Sequence, residues 1–272
     1  MRTASSPTTS LLTVSDLRVN LGGAPVLRGV GLTVAAGEVA GLLGPNGVGK
    51  TTLLRAISGV APSAAGHVQV HGATLAALGR RRLAQMVAVV QQLPEAPPEL
   101  RVEELVLLGR TPHLGLLARE STRDYAIARQ AMRRAGCAML AERALGTLSG
   151  GQRRRAFIAR ALAQEPALLL LDEPTANLDV QAQGETFELL RQLAAEGVGV
   201  LVAVHDLTLA AAYCDRVVLL HEGRIVAVGT PAEVITADIV HRVYGAHVDV
   251  IHHPVHGAPI VVPARLEATR DH

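Results

Sequence analysis

The stretch that most constrains this chain is Gly44-Pro45-Asn46-Gly47-Val48-Gly49-Lys50-Thr51, which matches G-x-x-x-x-G-K-[ST] at every fixed position. Before it, Val39 to Leu43 is a short apolar run of the kind a buried parallel strand gives; after it, Thr52 to Ile57 has helical composition. Strand, loop and helix in that order make a phosphate site. Gly44, Gly47 and Gly49 let the backbone turn tightly and aim its N–H groups at phosphate oxygens, and the helix adds its positive N-terminus. Lys50 is placed to reach the β- and γ-phosphates, and the Thr51 hydroxyl to bind Mg²⁺; Thr52 completes the site.

The rest of the chain supplies more of an α/β pattern. Leu11–Leu21 and Leu27–Val34 read as strands, with Gly22 to Pro25 as the turn between them; Gly66–Gly72 joins the same antiparallel sheet. His67 and His71 are read as solvent-facing on one side of that strand. Met86–Val90 is an apolar strand ending at Gln91-Gln92, followed by a Pro-rich break. From Leu93 to Thr147 there is no good strand, only helical material at Val102–Leu108 and Thr122–Ala135. The runs Arg80-Arg81-Arg82 and Arg153-Arg154-Arg155 read as solvated helix faces. Leu148-Ser149-Gly150-Gly151-Gln152 opens a helix with Ser149 as N-cap, and its glycines leave backbone N–H groups open as a second anion site. Ala167–Leu171 is a buried strand that delivers Asp172-Glu173 at its C-terminal end, where such sheets place metal-binding carboxylates; Val198–Val204 is another, ending at His205-Asp206. Strands alternating with helices imply a mostly parallel twisted sheet with helices on both faces.

Composition narrows the function. Net charge is +2, so nothing argues for nucleic acid as a partner. The hydrophobic fraction is 49% with only 2% aromatics and no Trp, so the core must be aliphatic. Cys137 and Cys214 have neither metal nor redox spacing, which suits a cytosolic chain. No apolar run approaches the ~20 residues that span a bilayer. Met1–Ser10 lacks an apolar core and reads as a frayed end rather than a signal peptide. His252, His253 and His256 read as a solvated turn, with no Cys or carboxylate to complete a metal shell.

Phosphate loop, Gln after a strand, LSGGQ, Asp-Glu after a strand and His after a strand stand in a fixed order. That order resembles the ATP-binding subunit of ABC transporters over about Leu12 to Pro263, and LSGGQ is close to diagnostic. The resemblance implies a phosphate-loop (RecA-like) α/β ATPase core with an N-terminal antiparallel β-subdomain. It implies one ABC ATPase domain over residues 1–272, a helical subdomain inserted at about 93–150 and a short tail at about 245–272. It makes Glu173 the general base for water, Asp172 a Mg²⁺ holder through water, Gln92 a Mg²⁺ and γ-phosphate sensor, and His205 a γ-phosphate hydrogen bonder. Leu148 to Gln152 would serve the nucleotide of a second copy, so that ATP is sandwiched between two head-to-tail protomers, and Asp179 would bridge them.

Three departures from the family pattern stand out. Leu21 takes the place of the usual adenine-stacking aromatic, Gln91 that of a Pro before the sensor Gln92, and Val48 that of a small residue facing away from the phosphates. The words at Leu108–His113, Pro231–Thr236, Val243–Gly245 and Gly257–Pro263 are similar to those of importers of ferric siderophores, haem and cobalamin. That subgroup implies two membrane permease subunits, a periplasmic or lipid-anchored substrate-binding protein, a peripheral place on the cytoplasmic side of the membrane, and a helical insertion that receives the permease's coupling helix. The alternatives are an exporter ATPase with separate permeases or a non-transport ABC ATPase. The latter class carries long coiled-coil or zinc inserts, or two ATPase units, and this chain has neither.

Overall fold

The computed structural model describes residues 10–92, 94–115 and 118–264; the Met1–Ser10 reading therefore lies, Ser10 apart, outside the described residues, as does the end of the tail. Strands β1 (Ser10–Leu21) and β2 (Ala24–Ala35) pair antiparallel. The turn between them is narrower than the sequence suggests, because Ala24 and Pro25 already belong to β2, where they pair with Leu21 and Asn20. Strand β3 (Val39–Leu43) is wholly buried and feeds the phosphate loop, and α1 (Lys50–Ile57) follows. Strand β4 (Ala65–Val70) joins β1 as expected, with β5 (Ala73–Thr74) at its edge. His67 is exposed on β4, but His71 sits in the following turn at φ 49°, so the two histidines do not share a strand face.

Helix α2 (Leu75–Met86) carries the Arg80-Arg81-Arg82 face, but its extent is hidden in the sequence: Gly79, at φ 68° and ψ 163°, breaks it in the middle, and the arginine triplet then restarts it. Strand β6 (Val87–Val90) leads to Gln91 and Gln92. The next part is helical, with α3 (Val102–Leu107), a 3₁₀ turn at Leu108–His113, α4 (Thr122–Arg134) and α5 (Gly150–Leu162); its only β feature among the described residues is a single bridge between Arg101 and Ala144. Strand β7 (Leu168–Asp172), α6 (Val180–Ala195), β8 (Gly199–Ala203), α7 (Leu207–Tyr213), β9 (Arg216–His221) and β10 (Arg224–Gly229) complete the core. Helices α8 (Pro231–Val234) and α9 (Ala237–Tyr244) and the hairpin β11 (Val248–His252) and β12 (Pro259–Pro263) close the chain.

The central sheet has the order β10-β9-β3-β8-β7-β6; all its pairings are parallel except β10 on β9. Its inner strands are buried on both faces, which is why they read as unbroken apolar runs rather than alternating ones. Alternation reappears in which core each residue enters. Leu169, Leu171, Val200 and Val202 pack with the helical part, whereas Leu168, Leu170, Leu201 and Ala203 pack toward α1 and the β1–β2–β4 sheet. The register places the C-terminal ends of three strands side by side: Asp172 pairs with Ala203, and Ala203 with Leu42. The loops after β3, β7 and β8, carrying Gly44–Gly49, Glu173 and His205, thus emerge at one edge of the sheet.

Candidate nucleotide site

Helix α1 starts without a side-chain cap: its N-cap is Gly49 at φ 111°, and Gly47 precedes it at φ 76°. The missing Cβ of Gly47 would meet nothing within 4 Å, so the loop is open where its N–H groups converge. An uncapped helix end with left-handed glycines is a cradle for an anion. Val48 turns away and packs against the β1–β2 core, as its place in the pattern predicts.

Lys50, the first residue of α1, is almost fully buried. Its Nζ donates to the carbonyls of Gly44 (2.7 Å) and Pro45 (3.2 Å), and it lies 3.8 Å from Glu173 Oε1. Burial pushes its pKa down, and the carboxylates of Glu173 and then Asp172 oppose that. A buried ammonium held mainly by two carbonyls is a cation short of negative charge, and a polyphosphate supplies that charge. Glu173 takes its position from a backbone at φ 45°, a left-handed conformation that costs a non-glycine residue about 1 kcal/mol or more. Its N–H is tied to Ala203 O at 3.1 Å, and its Oε2 accepts from Gln92 Nε2 at 2.8 Å. Lys50, Gln92 and Glu173 therefore meet in one cluster although they come from three separate elements. Asp172 is buried beside them, and an open cleft joins it with Thr51, Gln91 and Gln92. A second cleft of about 270 Å³ runs from Glu173 along Gly47, Gly49 and Thr52 to Asn46, Leu21 and Val26. Leu21 is 47% exposed at its end, an apolar contact where an aromatic ring would stack.

Arg154 is the residue that sequence reading missed. It is buried rather than solvated, and its guanidinium donates to the carbonyls of Gln91 and Gln92, each at 2.8 Å. Burial lowers its pKa. It lies one turn into α5, so the helix that begins at LSGGQ holds the Gln92 loop directly. The signal was present as the middle residue of a triplet, but a charge run carries no sign of which member turns inward. Arg153 and Arg155 do stay on the surface side, Arg155 pairing with Glu185.

The LSGGQ segment is capped by Ser149 as its sequence predicts, with Gln152 reaching back as an addition. Ser149 caps α5 by accepting from Gln152 N at 3.3 Å, and Gln152 Oε1 accepts from Ser149 N at 3.1 Å. The N–H groups of Ser149 and Gln152 are thus used within the segment, and those of Gly150 and Gly151 lie outside this box. Leu148 packs onto the helical core. Asp179 caps α6 through Ala182 N at 2.8 Å. His205 is exposed at the head of α7. Of the histidines near the end, His252 closes β11 rather than lying in a turn, while His253 and His256 flank the turn that follows: their rings stack at 3.7 Å, and each accepts a backbone N–H two residues on. Among the described residues no group of three or more His, Cys, Asp or Glu could hold a metal ion, and no helix is long and apolar enough to cross a membrane.

Comparison with known proteins agrees with this geometry. Residues 27–176, more than half of the chain, match the family described as ABC transporter. The hemin import ATP-binding protein HmuV of Streptomyces coelicolor is 46% identical over 260 residues, covering 96% of this chain and 92% of that protein. The ferric enterobactin transport ATP-binding protein FepC of Escherichia coli is 40% identical, covering 91% and 92%. Among solved structures, an inward-facing metal-chelate type ABC transporter superposes with a TM-score of 0.83 at 27% identity, covering 94% of this chain and 98% of that one. The ADP conformation of MJ1267, an ATP-binding cassette, gives 0.79 at 25% identity, covering 87% and 99%. An uncapped phosphate loop, a buried lysine and a Gln–Glu pair at the edge of a parallel sheet are here joined to that kinship, and the chain belongs to the ABC transporter family as one of its ATP-binding, ATP-hydrolysing subunits.

Proposed function

We propose that this subunit powers an importer for a metal chelate, a ferric siderophore, haem or cobalamin. The observation that carries the catalytic part is the meeting of Lys50, Gln92 and Glu173 at the open N-terminus of α1. The importer assignment draws on the relatives, whose names refer to hemin and ferric enterobactin.

In this reading ATP lies along the cleft, with phosphates on the loop from Gly44 to Thr52 and the base near Leu21. Thr51, Gln92 and Asp172 would hold Mg²⁺, which would supply positive charge against the phosphates. Nucleotide draws Lys50 away from its carbonyls, and the Lys50–Glu173 attraction weakens as the lysine turns to phosphate. Glu173 is then available to accept the proton of the attacking water, while Gln92 holds its carboxylate in place. His205 donates to the γ-phosphate. Leu148 to Gln152 of a second copy complete the site, with Asp179 at the junction, so closure of the dimer depends on ATP. Two permease subunits and a periplasmic or lipid-anchored binding protein complete the assembly, and the subunit sits peripherally on the cytoplasmic side of the membrane.

Two experiments test this. Glu173→Gln with Mg-ATP is expected to double the mass in solution; a strictly monomeric variant that retains ATP would defeat the sandwich. Complexes reconstituted with their permease and binding protein are expected to take up one of radiolabelled haem, ferric siderophore or cobalamin, and failure with all three sinks the importer assignment.

A further inference from the structure

The reaction outlined above leaves one buried charge unused. Arg154 is 7% exposed, and among the described residues its guanidinium donates to carbonyls alone. Arg110, which is also buried, lies instead between the carboxylates of Asp124 and Glu165. A guanidinium taken out of water with no anion beside it costs free energy. Its place on α5 adds to that cost, because the positive end of the helix is only one turn away. A cation kept there against two penalties calls for a role.

What Arg154 holds is Gln92. Its Nη1 donates to Gln91 O and its Nη2 to Gln92 O, each at 2.8 Å. Gln91 O belongs to the peptide that precedes the Gln92 Cα, and Gln92 O to the peptide that follows it. One planar fork thus pins both peptide planes beside that Cα, which fixes the direction in which the Gln92 side chain leaves the backbone. The side chain so aimed reaches Glu173, Nε2 donating to Oε2 at 2.8 Å. Packing offers little of that control. Strand β6 has ended at Val90, both glutamines are exposed, and a cleft of about 290 Å³ runs beside the loop between Gln92, Arg154, Gly150 and Leu178. Glu173 is fixed from its own side, through its N–H on Ala203 O. The Gln92–Glu173 contact therefore has a held backbone at each end, one tied to the sheet and the other to Arg154.

We infer that Arg154 is a positioning residue for hydrolysis: its fork on two consecutive carbonyls aims Gln92 at Glu173 and so keeps the carboxylate where the attacking water gives up its proton. This rests on the roles given above to Gln92 and Glu173. Arg154 itself need not touch nucleotide. The phosphate loop carries ground-state binding, so loss of the fork is felt in turnover far more than in affinity.

The test uses the full chain with Arg154→Met, Arg154→Lys, Gln92→Ala and the double variant Arg154→Met with Gln92→Ala. Methionine fills the space of the arginine stem without its charge, and the freed carbonyls meet water on an exposed loop, so the melting temperature is expected to stay at or above the wild-type value. kcat for Mg-ATP is expected to fall about tenfold, with Kd for a fluorescent ATP analogue within about twofold of wild type. Lysine keeps the charge but not the fork, and is expected to restore kcat only in part, to about one third of wild type. In the Gln92→Ala background Arg154→Met is expected to change kcat no further, because it acts through that side chain. An equal fold loss in both backgrounds, or a wild-type kcat for Arg154→Met, overturns the inference. If methionine disturbs the fold, lysine carries the test, and a wild-type kcat there overturns the fork. Gln92→Ala alone separates the two failures. If it lowers kcat while Arg154→Met does not, only the role of Arg154 is wrong; if it leaves kcat at the wild-type value, the reading of Gln92 and Glu173 is wrong and the role of Arg154 falls with it.

Discussion

Two helices in this molecule begin at glycine-rich loops, and they begin differently. Helix α1 has no side-chain cap and starts from a left-handed glycine, with a buried lysine as its first residue. Helix α5 caps itself, Ser149 and Gln152 exchanging two hydrogen bonds across its first turn. The first end has unsatisfied donors and a cation needing a partner, so one protomer suffices to bind an anion. The second commits two of its donors to its own cap, leaves those of Gly150 and Gly151 outside it, and carries no lysine. Any phosphate it meets must compete with its own cap, which suits a group that engages only when a second protomer brings the ligand to it. Two segments with similar glycine content thus differ in how many of their N–H groups are committed to a cap.

The largest expected effect tests the first half of that contrast. Lys50→Ala removes the cation at the uncapped end and is predicted to weaken ATP binding by the isolated protomer about 10²-fold, as loss of a charge-assisted contact does. Equilibrium titration with a fluorescent nucleotide checks this; near-normal affinity would mean that the glycine cradle alone holds the phosphates. The second half predicts a different pattern for Ser149→Ala. ATP affinity of the protomer stays at the wild-type value, turnover at saturating ATP falls on the order of 10²-fold, and stability drops by about 1 kcal/mol from the lost cap. Loss of ATP affinity by the isolated Ser149→Ala protomer would erase the distinction between the two helix ends.

The far end of α5 is fixed as firmly as its start is self-satisfied. Gly109 permits the 3₁₀ turn to press on α5, since a Cβ there would lie 2.2 Å from Arg160 O. Beside it, Arg110 is buried and donates to Ala163 O (2.7 Å), Asp124 (2.9 Å) and Glu165 (2.8 Å). Asp124 also accepts from the Ser121 hydroxyl and N–H. These two bonds, then Arg110, hold its carboxyl at about 2 against an ordinary 3.8. A depressed carboxylate stabilises the fold above its unfolded pKa, so this contribution is complete above about pH 4 and is lost as pH falls toward about 2. Asp124→Asn is predicted to lose about 2 kcal/mol at pH 7, through an unbalanced buried guanidinium. Urea unfolding should show the gap between variant and wild type closing as pH falls from 4 to 2. A gap that is constant with pH would assign the loss to packing instead.

How much of this was legible follows from the physics of each residue. Strands β3, β7 and β8 were readable because burial on both faces leaves only apolar residues, Lys50 because it closes the glycine loop after such a strand, and Asp172 and Glu173 because they stand at the end of one. Arg154 and Arg110 were not readable as buried. One sits in a charge run and the other in the short word Leu108–His113, and what turns each inward is a carbonyl far along the chain, at Gln91, Gln92 or Ala163. The cap on α5 was half legible: Ser149 was named, but Gln152 reaching back to it depends on a side-chain rotamer. The Val261–Thr208 hydrogen bond joins residues 53 positions apart, a pairing that no local pattern encodes.

The smallest expected effect concerns the other end of the cleft that α1 opens. Leu21 is 47% exposed there, at the end of β1 and next to the turn at Gly22, with Val26 beside it. A leucine offers area but no ring face, so the phosphates at α1 carry most of the binding and the base little. Leu21→Tyr adds a stacking surface without entering the core, since the site is half open to water. It is predicted to tighten ATP about fivefold, on the order of 1 kcal/mol, and to favour ATP over tripolyphosphate by the same factor, because only the base gains a contact. Competition titrations with ATP and tripolyphosphate on wild type and variant separate the two ends of the cleft. An equal gain for tripolyphosphate would show that position 21 acts through the phosphate loop, and would return the whole of the binding to the uncapped start of α1.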